Sequence, residues 1–121
     1  MREFEYTRPG SLGEAVALLE EHGSEAHLLA GGTDLVIGLR KGWVAPKVVI
    51  DCKRVPEMAA GIREGDGSLV IGASTVMTDV VEDPRIREHF PALVESAEVV
   101  GSVQIRNRAT LAGTICNCSP A

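Results

Sequence analysis

The stretch "HLLAGGTDLVIGLR", residues 27–40, constrains the fold of this 121-residue chain more than any other. Its apolar start, residues 27–30, predicts a β-strand, and the apolar run after the turn predicts a short helix over about residues 34–41. Gly31 and Gly32 stand where the strand passes into the helix. A strand that turns through glycines into a helix is typical of α/β proteins, and it predicts that class for this part of the chain.

The elements on either side extend this pattern to helix, strand, turn, helix and strand. Ser11 precedes "LGEAVALLEEHG", and Glu14 follows it at the spacing of a capping box, which predicts a helix over about residues 12–22. Five apolar residues of this helix fall on one stripe: Leu12, Ala15, Val16, Leu18 and Leu19. A short extended piece, "FEYT", comes before it, and the β-branched run in "KVVIDC" predicts a buried strand. The order predicts a small α/β unit with parallel strand pairing.

The second half of the chain has a different pattern. "AAGIREGDGSLVIGAS" predicts a β-hairpin, with strands over about residues 59–64 and 69–73 and a turn at residues 65–67. "TVMTDVVED" and "FPALVESAEVVG" have helical patterns. The acidic stretches "EGDG" and "EDPRIREH" are interpreted as exposed turns, and "SVQIRNRATLAGTICNCSPA" predicts one or two strands among turns.

Composition limits the classes of protein that fit. Hydrophobic residues make up 45% of the chain but aromatic residues only 3%, so the core is expected to be aliphatic. The net charge is −5 and no long basic run occurs, which argues against a nucleic-acid surface. No signal-peptide pattern and no apolar run of about 18 residues is present, so we expect a cytoplasmic protein without membrane attachment.

Cysteine and histidine do not form a recognisable metal or catalytic pattern. The three cysteines, Cys52, Cys116 and Cys118, are too few for a four-cysteine site and are spaced unlike the usual ligands. We expect buried or half-buried free thiols in a reducing compartment. His22, His27 and His89 have no partner at ligand spacing, and no nucleophile–base pair stands out. The sequence therefore predicts neither a catalytic residue nor a metal site.

The glycine turn has the features of an anion site. A helix amino terminus presents backbone N–H groups and the positive end of a dipole, and glycines let a bulky anion approach them. The turn is neither a Walker loop nor a G-x-G-x-x-G motif. It could bind a phosphate or diphosphate; alternatively, Thr33 or Asp34 merely caps the helix, and the charge of Asp34 would weaken an anion site.

A second segment combines small and hydroxyl residues in the same way. In "RNRATLAGT" these residues are Thr110, Ala112, Gly113 and Thr114. A dinucleotide diphosphate is long enough to be held from two sides by two such loops, and this is our hypothesis for both segments. Arg106 and Arg108 could neutralise a diphosphate or form salt bridges with nearby acids.

Several spaced motifs together resemble one family. "FEYTRPGSLGEAVALL", "LLAGGTDL", "VVIDCKRVPEM", "LVIGASTVMTDV" and "QIRNRATLAGTICNCSPA" are similar, in this order, to the FAD-binding medium subunit of the molybdenum hydroxylases. That family includes the xanthine dehydrogenase, aldehyde oxidase and carbon monoxide dehydrogenase flavoproteins. The resemblance implies an α+β (α/β) fold of two small subdomains with FAD between them. Residues 1–55 would form the amino-terminal FAD-binding subdomain and residues 56–121 the first part of the second, so that the fold is truncated.

The resemblance also implies which residues bind the cofactor. In the first loop they are Leu28, Leu29, Ala30, Gly31, Gly32, Thr33, Asp34 and Leu35, and in the second Thr110, Leu111, Ala112, Gly113 and Thr114. Val100 stands where some relatives carry an aromatic residue against the flavin. The second loop departs from the family pattern Thr-(Ile/Leu)-Gly-Gly-Asn, because Ala112 adds a methyl group that disfavours positive φ and Thr114 lacks the reach of an amide.

By the same resemblance, the function would be electron transfer. A molybdopterin-binding large subunit and a [2Fe–2S] small subunit would be the partners, possibly with the remainder of the flavoprotein, and FAD would pass electrons to NAD⁺ or another acceptor. One alternative is a truncated assembly protein of such a complex that no longer binds flavin. Another is a flavin oxidoreductase of the same fold, such as the cell-wall enolpyruvyl reductases.

Overall fold

The structure, a computed structural model, describes residues 1–118 and gives a mixed fold of helices and strands. The α+β class predicted from the sequence is confirmed. The chain divides into two compact units, Met1–Ala59 and a second that begins at Ala60. The last residues of the segment predicted to contain strands, 119–121, lie outside the described residues.

The first unit is built on a parallel sheet of three strands, β1 (Glu5–Thr7), β2 (Ala26–Leu29) and β3 (Val48–Asp51). Strand β3 lies in the middle, and both outer strands pair with it in parallel, as the sequence predicts. All four residues of β3 are buried, which explains its run of β-branched side chains.

Two helices connect these strands. Helix α1 (Leu12–His22) begins at Ser11, whose side chain accepts a hydrogen bond from the Glu14 N–H, and helix α2 (Leu35–Lys41) follows the glycine turn. The predicted apolar stripe of α1 is only partly used. Ala15 is buried against the segment after β3, whereas Leu12 and Val16 are more than 40% exposed.

The second unit begins with a β-hairpin. Strand β4 (Ile62–Gly65) pairs antiparallel with β5 (Ser68–Ile71), which confirms the predicted hairpin, although β4 starts later than expected. Asp66 and Gly67 form the turn with φ of +46° and +76°. Positive φ at both central residues is the requirement of a type I′ turn.

Helices make up the rest of the second unit. They are α3 (Met77–Glu82), α4 (Pro84–His89), α5 (Pro91–Glu98), α6 (Val103–Arg106) and α7 (Leu111–Asn117). The interpretation of "EDPRIREH" as an exposed turn is wrong. Asp83 accepts hydrogen bonds from the N–H groups of Arg85 and Ile86, Pro84 occupies the first helical position, and Ile86 is completely buried.

The prediction of strands after residue 101 is also wrong for the described residues. Ser102 and Thr110 each accept a hydrogen bond from an N–H three residues later, and these caps start α6 and α7. Thr110 makes only an isolated bridge with Val76. The weak alternation of this segment is therefore outweighed by its two capping residues.

The core of each unit is aliphatic, as composition predicts. In the second unit Val80, Ile86 and Val94 form one buried cluster, and Met77, Ala97 and Ala109 form another. Among residues 1–118 no helix is both long and apolar enough to cross a bilayer.

Candidate functional site

The turn between β2 and α2 requires a glycine at position 32. Gly32 has φ of +79°, a conformation that L-residues rarely adopt. A Cβ atom at this position would lie 3.0 Å from Leu29 Cδ1 and 3.4 Å from Val36 Cγ2. A side chain here would therefore be strained by the positive φ and crowded by the side chains of Leu29 and Val36.

The same turn carries unused hydrogen-bond donors. Gly31, Gly32 and Thr33 are half-buried, and their N–H groups donate no hydrogen bond to any residue in the part of the chain that the structure describes. Asp34 occupies the cap position of α2, but its side chain makes no capping hydrogen bond, so the capping interpretation of Asp34 is wrong. Three consecutive N–H groups without a partner among the described residues are available to solvent or to an anion.

The segment that follows β3 forms hydrogen bonds with the residues just before this turn. The Cys52 thiol donates to the Leu29 carbonyl at 3.2 Å, and the Lys53 ammonium donates to the Ala30 carbonyl at 3.1 Å. Leu29 pairs with Asp51 at the end of the β2–β3 ladder, which brings the two segments side by side. The backbone just before Gly31 is thus fixed from the neighbouring strand.

Asp51 is the centre of the charges at this strand end. It is 2% exposed, and its carboxylate accepts from the Tyr6 hydroxyl at 2.5 Å and from the Lys53 backbone N–H at 3.0 Å. The Lys53 ammonium lies 2.8 Å from Oδ1, and the Arg8 guanidinium lies 3.7 Å from Oδ2. A buried carboxylate is stable here because both oxygens are hydrogen-bonded and paired with cations.

The environment of this strand end shifts the pKa values of Asp51, Tyr6 and Cys52. Burial raises the pKa of Asp51, but the hydrogen bonds from Lys53 and Tyr6 outweigh it, so its pKa lies below the usual value. The hydrogen bond to Asp51 raises the pKa of Tyr6. Burial raises the pKa of Cys52, which keeps its thiol protonated at neutral pH and able to donate to Leu29.

A pH-dependent stability follows from Asp51. Its pKa is lower in the folded chain than the value of about 3.9 in an unfolded one, so its carboxylate stabilises the fold above about pH 4. This stabilisation is lost as the pH falls from about 4 through the folded pKa. We expect Asp51→Asn to lower the urea midpoint at pH 7 and to flatten its decline in acid. Asp66→Asn, in the exposed hairpin turn, is the control; an equal effect of both changes would contradict the role of Asp51.

The second segment has a different geometry, because it forms the start of α7. The Thr110 hydroxyl oxygen accepts from the Gly113 N–H at 3.1 Å, and a Cβ on Gly113 would lie 2.7 Å from that oxygen. The Leu111 and Thr114 N–H groups donate to Thr75 and Thr110, and the Thr114 hydroxyl also donates to the Thr110 carbonyl. Gly113 is thus required by the cap, and most donors of this segment are used locally.

Ala112 occupies a position in α7 at which positive φ is not needed. Within residues 1–118 only Asp66 and Cys118 are non-glycine residues with positive φ, so the expected conflict between Ala112 and a left-handed backbone is wrong. The Ala112 N–H donates no hydrogen bond to a described residue outside α7.

Val100 packs on the same cluster as Leu111 of this second segment. Val100 and Leu111 are half-buried and contact the same cluster of Met77, Ala97 and Ala109. Arg106 donates to the carbonyls of Glu98 and Val100, so it is engaged by backbone rather than by acidic side chains. The structure thus places Val100 and Leu111 on one cluster in the second unit, whereas residues 28–35 belong to the first unit.

The predicted thiols are placed differently from expectation. Cys52 is buried, but Cys116 and Cys118 are exposed, because they lie on the solvent side and at the carboxyl end of α7. Throughout the described chain, no group of three His, Cys, Asp or Glu side chains could hold a metal ion.

Sequence reasoning missed Asp51, Cys52 and Lys53 as site residues. A signal for them existed, since they follow a buried strand. The carboxyl ends of parallel strands meet at one edge of a sheet, where ligand sites of α/β proteins occur. With parallel pairing predicted, this rule places residues 51–53 next to the glycine turn.

Comparison with known proteins supports one family. Residues 2–121 match the family model described as the FAD binding domain in molybdopterin dehydrogenase. The chain is 44% identical to the carbon monoxide dehydrogenase medium chain of Hydrogenophaga pseudoflava, over 97% of this chain and 40% of that one. It is 40% identical to the nicotinate dehydrogenase FAD-subunit of Eubacterium barkeri, over 100% of this chain and 41% of that one.

The fold agrees with this comparison. The structure is similar, with a TM-score of 0.88 and 44% identity, to a solved chain of the Hydrogenophaga pseudoflava carbon monoxide dehydrogenase that lacks the Mo-pyranopterin moiety of the molybdenum cofactor. The match covers 94% of this chain and 39% of that chain. The chain thus spans about two fifths of the length of the relatives that it matches. It belongs to the family of FAD-binding domains of the molybdopterin dehydrogenases.

Proposed function

We propose that this chain binds the diphosphate of FAD through the N–H groups of Gly31, Gly32 and Thr33. The observation that carries the proposal is that these three consecutive, half-buried donors have no partner among the described residues. Gly32 lets the backbone approach a ligand without an intervening Cβ, and the amino terminus of α2 adds a favourable dipole. The family match supports FAD, rather than another anion, as the ligand.

The biological role that we infer is that of the flavin component of a molybdenum hydroxylase. When bound, FAD would supply the redox chemistry of this role, which by the family pattern is electron transfer from [2Fe–2S] centres to NAD⁺ or another acceptor. The partners would be a molybdopterin-binding large subunit and a [2Fe–2S] small subunit, in the cytoplasm. The residues of this chain would bind and orient the diphosphate, and none would act as a general acid or base.

We infer that residues 110–114 and Val100 contribute a second, weaker contact to the cofactor. The Ala112 N–H donates no hydrogen bond to a described residue outside α7, and half-buried Val100 adds an apolar side chain on the cluster that Leu111 also contacts. On this proposal, residues 1–55 belong to one flavin subdomain of the family and residues 56–121 to the first part of a second.

The direct test is to titrate the purified chain with FAD. We expect quenching of flavin fluorescence and a flavin absorbance band that remains after desalting. FMN and riboflavin, which lack the diphosphate bridge, are the controls and are expected to bind more weakly. A chain that remains colourless and does not quench FAD would contradict flavin binding by this chain.

A second candidate function is an assembly protein that docks on partner subunits without flavin. The observation that favours it is that most donors of residues 110–114 are already satisfied by Thr75 and Thr110. Exposed apolar side chains of the second unit, such as Val99 and Ile115, also suit a partner surface. Colourless protein that co-purifies with a molybdopterin-binding subunit would favour this candidate over the first.

A further inference from the structure

We propose that Lys53 is a positioning residue that orients and polarises the Gly31 N–H toward the flavin diphosphate, and that Asp51 holds Lys53 in place. This inference rests on the proposed function of the glycine turn. It assigns a role to a residue that lies outside the turn and reaches it only through the Ala30 carbonyl.

The argument begins with the peptide unit that joins Ala30 to Gly31. The Ala30 carbonyl and the Gly31 N–H belong to one planar trans group, so they point in opposite directions. The Lys53 ammonium donates to that carbonyl at 3.1 Å. Fixing the carbonyl on one side therefore fixes the direction of the Gly31 N–H on the other, away from Lys53.

The charge of Lys53 adds a second effect. A carbonyl that accepts a hydrogen bond from a cation becomes more polarised, and the N–H of the same peptide becomes a better donor. The Gly31 N–H donates to no described residue, so this improved donor is available to an anion. Lys53 thus acts on the ligand through the peptide and need not touch it.

Asp51 restricts the Lys53 side chain to this orientation. Its carboxylate holds the Lys53 ammonium at 2.8 Å and is itself fixed by Tyr6 and by the Lys53 backbone N–H. The Lys53 side chain is 36% exposed, so without this carboxylate it would have many other orientations available in solvent. The neighbouring contact of the Cys52 thiol with Leu29 fixes the preceding peptide in the same way.

The test compares Lys53→Met with two matched variants. Lys53→Arg keeps a cation at this position, and Lys47→Met removes a lysine of the same unit whose ammonium pairs, among the described residues, with exposed Glu25, before β3. We expect Lys53→Met to weaken FAD binding about tenfold, Lys53→Arg to lose less than about threefold, and Lys47→Met to bind like the parent chain. Unchanged FAD affinity of Lys53→Met would overturn the proposal while leaving the proposed function intact.

A measurement without FAD separates this proposal from the proposed function. In ¹⁵N-labelled chain, the Gly31 amide resonance should move in Lys53→Met and remain near its parent position in Lys53→Arg and Lys47→Met. An unmoved Gly31 resonance in Lys53→Met would overturn the positioning role even if no chain binds flavin. Should Lys53→Met fail to fold, Lys53→Gln retains a neutral donor, and we expect an intermediate shift; a resonance identical to that of the parent would contradict polarisation by the charge.

Discussion

Replacing Gly32 by alanine is expected to lower FAD affinity about hundredfold, because small displacements of positioned groups have effects of that size. The new Cβ would lie 3.0 Å from Leu29 Cδ1 and 3.4 Å from Val36 Cγ2 on a backbone with φ of +79°. Relief of this crowding requires rotation of the peptides on either side of residue 32, and those peptides carry the unpaired donors. Fluorescence titration with FAD measures the loss directly.

Gly42→Ala is the matched control for this change. Gly42 has φ of +72° at the end of α2, but nothing lies within 4 Å of a Cβ built there. Both variants should lose about 1 kcal/mol of stability from backbone strain, with a further loss from crowding in Gly32→Ala, whereas only Gly32→Ala should lose FAD affinity. Equal loss of FAD in both would attribute the effect to general destabilisation, and retention by Gly32→Ala would show that the diphosphate binds elsewhere.

Replacing Ile86 by alanine is expected to be the most damaging single change in the second unit. Ile86 is completely buried and contacts the cluster that contains Val80 and Val94. Truncating such a side chain costs about 3 kcal/mol, a large part of the 5–15 kcal/mol by which domains are usually stable. Urea unfolding followed by circular dichroism should show a clear drop in midpoint.

Ile115→Ala provides the same chemical change on the surface. Ile115 is 64% exposed on α7, so the expected change in unfolding free energy is within about 0.5 kcal/mol. A similar cost at both positions would mean that the cluster around Ile86 is not the core of this unit. The comparison also tests the correction to "EDPRIREH", because an exposed turn at Ile86 would tolerate alanine.

The sequence predicted best those elements that local chemistry decides. The Ser11–Glu14 pair fixes the start of α1, the β-branched residues define β3, and the Asp66–Gly67 dipeptide defines the hairpin turn. Each of these signals acts within a few residues. Helix α4 was missed, because its acidic and proline residues are as typical of a turn as of a capped helix, and burial of Ile86 decides between them.

The candidate site also combines features that the local sequence predicts with features that depend on distant contacts. The glycine turn could be predicted, because positive φ and the absence of a side chain are properties of Gly32 itself. The contacts of Cys52 and Lys53 with residues 29 and 30 could not, because they depend on the register between β2 and β3. The use of Thr110 and Gly113 as a helix cap likewise became visible only when the segment proved to be helical.

The position of β3 between β1 and β2 means that, if the glycine turn binds FAD as proposed, a residue near the start of the chain contributes to cofactor recognition. Tyr6, on the outer strand β1, donates a hydrogen bond to the Asp51 carboxylate, which pairs with Lys53. Lys53 in turn donates to the Ala30 carbonyl, directly after the other outer strand, β2. We therefore expect the turn to lose this support when it is transplanted as an isolated peptide motif. A chimaera that grafts it into another scaffold would have to carry all three strands, in this order, to keep its donors aligned.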